Sequence, residues 1–66
     1  MNITVNGHHW ELPDGSAVGD VLDRLGAPST GVAVALDGVV VPRASWPGTA
    51  LRDGASVEVL TAAQGG

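Results

Sequence analysis

A chain of 66 residues has room for one domain with a small hydrophobic core, a size at which disulfides or a metal commonly add stability. This chain has no cysteine, which excludes disulfides, thiolate zinc sites and thiol nucleophiles. Its net charge of −4, with three arginines and no lysine, argues against nucleic acid and anionic membranes, whose binding needs clustered cations, and favours a basic partner surface.

The missing lysines also remove any side-chain amine that would accept an isopeptide bond. A hydrophobic content of 44% suits a packed globule, and with two tryptophans as the only aromatics the core is expected to be aliphatic. There is no basic-then-apolar leader and no apolar run near the roughly 20 residues of a membrane helix, so a cytoplasmic location is expected. The Asn2-Ile3-Thr4 glycosylation pattern is then incidental.

The opening MNITVNGHHWEL consists of two alternating runs around Asn6-Gly7, a strong signal for a two-residue type I′ hairpin. That loop sets Val5 opposite His8, Ile3 opposite Trp10 and Met1 opposite Leu12. The large apolar residues thereby share one face, with Asn2, Thr4, His9 and Glu11 on the other. In SAVGDVLDRLGAP, Ser16 is the expected N-cap, and Val18, Val21, Leu22 and Leu25 recur at helical spacing over about three turns. Gly26 suits the C′ position and Pro28 forbids continuation. Gly19 costs this helix about 1 kcal/mol against alanine, so the helix depends on docking.

GVAVALDGVVVP predicts a second hairpin with Val32, Val34 and Leu36 on one face. Its register stays open, since a two-residue Asp37-Gly38 loop sets Val39 opposite Leu36 and a bulged three-residue loop sets Val40 there. RASWPGTALRDG reads as a connection with one short turn, anchored by Trp46 and Leu51. SVEVLTA predicts a last strand with Val57, Val59 and Thr61 inward and Glu58 and Leu60 outward. The order ββαβ(β)β describes an α+β domain over residues 1–66. It is a ubiquitin-like β-grasp with a mixed sheet of about five strands, one helix on one face and the last strand central beside the first. Residues 62–66 are expected to be a flexible tail.

His8 and His9 are adjacent on a strand and point to opposite faces, which disfavours a shared metal ion. Asp20 and Asp23 read as a solvated helix face, and no serine has partners suggesting a triad. Trp46 and Arg43 suit a ligand, but pinning a loop to the core is the simpler role for the tryptophan. No catalytic residue is therefore nominated. The ending TAAQGG is different, because glycine lets a backbone enter a narrow pocket and adopt angles closed to other residues. Beyond Thr61 the chain can extend roughly 17 Å, enough for Gln64 and Gly65 to present Gly66 to a partner's pocket; a frayed terminus is the alternative reading of the same residues. An outward strip of Ala33, Ala35, Leu60 and Ala62, with Val40 or else Val39 according to register, is the candidate docking surface; Val40 is the choice adopted.

With DGVVVPRASW, LRDGASVEVL and the terminal Gly-Gly on a β-grasp frame, the whole chain resembles the ThiS family, the sulfur carriers of thiamine biosynthesis. Val-Pro-Arg-x-x-Trp, Val41 to Trp46, is the most specific internal string. The resemblance implies a carrier that is not itself an enzyme and binds no cofactor. A ThiF-type adenylating enzyme would use ATP and magnesium to convert the Gly66 carboxylate into an acyl adenylate. Sulfur from a cysteine desulfurase or another source would make it a thiocarboxylate, which a thiazole synthase would use to build the thiazole ring. Two alternatives remain open: a carrier for another acceptor, such as molybdopterin or a specialised metabolite, and a non-covalent β-grasp interaction module. Conjugation to target proteins begins with the same activation.

Overall fold

The computed structural model of the protein describes residues 1–28 and 30–61. The assignments to Ala62, Gln64, Gly65 and Gly66, and the expected flexibility of 62–66, lie outside the described residues.

The first hairpin forms as its turn chemistry dictates. Strands β1 (Asn2–Val5) and β2 (His8–Glu11) are joined by Asn6 at φ 51° and Gly7 at φ 81°, the left-handed pair a type I′ turn requires. Val5 pairs with His8 and Ile3 with Trp10, and the Met1 nitrogen donates to the Leu12 carbonyl at 2.7 Å. Ile3, Val5 and Leu12 are buried and Trp10 packs partly against them.

The helix differs from expectation in three respects. α1 spans Val18–Leu25, just over two turns, and its N-cap is Ala17. Ser16 is buried and donates its hydroxyl to the Pro13 carbonyl at 2.7 Å instead of capping. Long-range pairing accounts for the shift. Ala17 bridges to Ala50, the Val18 N–H donates to the Thr49 carbonyl and the Leu51 N–H to the Ser16 carbonyl, each at 2.9 Å. Ala17 has no side-chain acceptor for the first-turn N–H groups, and Asp20 makes the reciprocal bond, its carboxylate accepting the Ala17 N–H at 2.8 Å. Val18, Val21 and Leu22 are buried, but Leu25 is 41% exposed. The left-handed Gly26 reverses the chain, the Ala27 N–H donates to the Leu22 carbonyl, and Ala27 packs against the core in place of Leu25.

In the second hairpin, β3 (Val32–Leu36) and β4 (Val39–Val41) are joined by Asp37 at φ 50° and Gly38 at φ 84°. This is the two-residue loop, and it pairs Leu36 with Val39, Ala35 with Val40 and Val34 with Val41. A six-residue 3-10 turn at Arg43–Gly48 follows, pinned by the buried Trp46; Leu51 is buried, and so is Ala55, which hydrophobic alternation did not mark.

The last strand, β5 (Ser56–Thr61), lies at the centre of a five-stranded sheet ordered β2-β1-β5-β3-β4. It runs parallel to β1 and antiparallel to β3, with Val57 fully buried between them. A turn at Asp53-Gly54 aims it: Asp53 Oδ1 accepts the Asn2 N–H and the Gly54 N–H donates to the Asn2 carbonyl, both at 2.6 Å. One helix on one face of a mixed sheet with the first and last strands paired at its centre is the β-grasp arrangement.

Candidate functional site

The described residues end at Thr61, the last residue of β5, and the residues around that end form the candidate site. Leu60 lies directly opposite Ala33 on β3, while Ala35 lies opposite Glu58 on one side and Val40 on the other. The structure thus brings Ala33, Ala35, Leu60 and Val40 onto one outward surface, with Leu60 68% and Val40 71% exposed. Val39 pairs with Leu36 and stands on the opposite face, which settles the choice between the two valines. Ala62 is not described.

Glu58 is an addition. Alternation already turned it outward, but only the β3–β5 register sets it opposite Ala35, in a row with Val40. Its carboxylate gives an otherwise apolar strip one negative charge. A shallow groove lined by Gly31, Val32, Ala33, Leu60 and Thr61 lies at the described end of β5. Across β1 and β2 the same face is polar, carrying Asn2, Thr4, His9 and Glu11.

Two hairpin-turn side chains hold β5, and sequence reasoning missed both. Asp37 Oδ1 accepts the Ser56 N–H at 2.9 Å, and the Asp37 N–H donates to the Ser56 carbonyl at 2.8 Å, at the start of the strand. Asn6 acts further along, where Oδ1 accepts the Val59 N–H at 2.8 Å and Nδ2 donates to the Val59 carbonyl at 3.3 Å. Asn-Gly and Asp-Gly signal turns, and nothing in that signal says where the side chains reach.

The remaining candidates take structural positions. His8 and His9 fall on opposite faces as expected, His9 Nε2 lying 2.9 Å from Asn2 Oδ1. Among the described residues no group of three or more His, Asp or Glu side chains is placed to hold a metal ion. The Trp46 indole N–H donates to the Val41 carbonyl, so the ring pins its loop. No helix among the described residues is long and apolar enough to cross a membrane.

A central last strand paired with the first, one helix on one sheet face and an exposed apolar strip on the other define a small ubiquitin-like β-grasp domain. The sequence matches the ThiS family over residues 2–66, and the chain belongs to that family. It is similar to the crystal structure of thiamine biosynthesis protein ThiS from Geobacter metallireducens, with 33% identity, a TM-score of 0.81 and 100% of each chain covered. It is also similar to an NMR solution structure of a thiamine biosynthesis protein from the same organism, with 35% identity, a TM-score of 0.79, and 100% of this chain and 88% of the other covered. No curated protein sequence matches it.

Proposed function

We propose that the protein is a cytoplasmic sulfur carrier of thiamine biosynthesis whose working group is the carboxylate of Gly66. The observation that carries this reading is membership of the ThiS family over residues 2–66, a match that includes the final glycines. An α-carboxylate is anionic at neutral pH and a very poor electrophile. Activation supplies a leaving group. A carboxylate oxygen attacks the α-phosphorus of ATP in a ThiF-type partner, pyrophosphate departs, and an acyl adenylate forms. The terminal sulfur of a persulfide supplied through a cysteine desulfurase then attacks the carbonyl carbon and AMP leaves; a second thiol of the partner attacks the persulfide's inner sulfur in the resulting acyl disulfide, a disulfide forms between the two partner sulfurs, and the carrier is released as a thiocarboxylate. Thiazole synthase takes the sulfur from there.

In this scheme ATP and magnesium belong to the partner's reaction, and the carrier contributes the acyl group and its presentation. A chain without cysteine has no thiol of its own to capture the activated acyl group. The strip of Leu60, Ala33, Ala35 and Val40 supports a docking role, because two glycines offer little surface for binding and ordering a tail costs about 1–2 kcal/mol per residue.

Complementation tests the assignment. In a thiamine-requiring strain lacking its own carrier, the full chain is expected to restore growth and a chain without Gly66 is expected to fail. Equal rescue by both would mark a non-covalent module instead.

A further inference from the structure

We propose that Asn6 is a positioning residue for the carrier reaction: its carboxamide completes the ladder beside Val59 and so fixes the end of β5 from which Gly66 is presented. This inference rests on the carrier reading above.

The geometry shows what the side chain replaces. In a parallel ladder, a residue whose N–H donates to one carbonyl of the neighbouring strand accepts, through its own carbonyl, the N–H two residues further on. Asn6 makes the first bond with its backbone, its N–H donating to the Val57 carbonyl at 2.9 Å. It cannot make the second with its backbone, because the type I′ turn rotates residue 6 to φ 51° and β1 ends at Val5. Oδ1 takes over that role towards the Val59 N–H, and Nδ2 stands where the next donor of β1 would have been, facing the Val59 carbonyl. Only this orientation of the amide matches donor to acceptor at both atoms.

The consequence falls on the end of β5. Without Asn6 the β1 side of β5 would be paired only as far as Val57, four residues before the last described position. With it, both backbone polar groups of Val59 are satisfied on the β1 side, while Glu58 and Leu60 on either side of it pair with β3. Two residues later lies Thr61, the last described position and the origin from which Gly66 has to be presented. Loosening at Val59 is shared by Leu60 and Thr61, so that origin is less fixed beside the outward strip, and misplacement of a reacting group by about 1 Å can cost on the order of a hundredfold in rate. Asparagine meets both demands of position 6. It tolerates the left-handed backbone, and it offers a donor and an acceptor on one planar group. Aspartate meets the first demand but offers no donor to the Val59 carbonyl.

The test uses the full chain with the ThiF-type adenylating enzyme, ATP and magnesium, following pyrophosphate release, alongside amide hydrogen exchange at Val59. Asn6→Gly keeps the turn and removes both side-chain bonds. Exchange at Val59 is expected to accelerate about tenfold, the scale of one lost hydrogen bond. The kcat for adenylation is expected to fall about fivefold while KM for the carrier stays within about twofold, since docking contacts are untouched and only presentation is altered. If Asn6→Gly melts below the assay temperature, Asn6→Asp serves, with a smaller fall in kcat at unchanged KM. Unchanged exchange at Val59 overturns the proposal, as does unchanged kcat despite faster exchange, or a loss confined to KM. If the unmutated chain is not adenylated at all, the carrier reading itself fails, and that outcome appears before any variant is compared.

Discussion

The indole N–H of Trp46 donates to the backbone carbonyl of Val41 at 2.9 Å, tying the 3-10 turn to the end of β4, the strand that precedes it. The ring is 9% exposed and belongs to the core. Trp46→Phe keeps an aromatic ring but removes the donor, and is expected to cost about 1–3 kcal/mol. Urea denaturation checks this through a lower midpoint at unchanged slope. Adenylation at temperatures where the variant is folded is expected to stay the same, because the indole supports the core and lies on the helix side of the sheet.

Gly19 tests the docking of α1. A Cβ built there would sit 3.4 Å from Pro47 Cα and 3.6 Å from Pro47 N, so the helix approaches the 3-10 turn through a position with no side chain. Gly19→Ala is expected to be neutral within about 1 kcal/mol, its propensity gain offsetting the tight contact. Gly19→Val, with two further carbons pressed against backbone, is expected to destabilise by about 1–3 kcal/mol. Thermal denaturation of the pair measures the difference.

Leu22 and Leu25 separate the helix face that packs from the one that does not. Leu22 is 6% exposed and Leu25 41% exposed. Leu22→Ala is expected to cost about 2–5 kcal/mol and to unfold a substantial fraction of so small a domain. Leu25→Gln is expected to cost less than about 1 kcal/mol, and denaturant midpoints for the two variants should diverge accordingly.

Leu60→Glu addresses the outward strip. The substitution places a second carboxylate near Glu58 on an exposed surface, leaves the core intact, and is expected to change stability by less than about 1 kcal/mol. The KM for adenylation by the partner is expected to rise at least tenfold, on the order of one lost apolar anchor. Unchanged kinetics would remove the strip from the docking surface.

Both hairpins were legible in the chain, because Asn6-Gly7 and Asp37-Gly38 signal tight turns between alternating runs, though the second left its register open between two loops, and the central place of β5 followed from the β-grasp order of the elements. What escaped depends on distant partners. Ser16 carries a good local capping signal, yet the Thr49–Leu51 segment pairs with residues 16–18 and moves the cap to Ala17. Leu25 fits the helical period, yet the reversal at Gly26 puts Ala27 against the core. Asn6 and Asp37 reach residues 53 and 19 positions away, and composition around a turn does not encode that reach. The site was legible in part. Alternation turned Leu60 and Glu58 outward, but setting Glu58 opposite Ala35 required the register between β3 and β5.

The intact mass of the full chain after incubation with ATP, magnesium, a sulfide source and a ThiF-type adenylating enzyme is the most direct test of the carboxylate's role. The expected result is a gain equal to exchange of one oxygen for one sulfur, localised to Gly66 and lost in a chain lacking that residue. No mass change in the full chain, or the same change without Gly66, would contradict it.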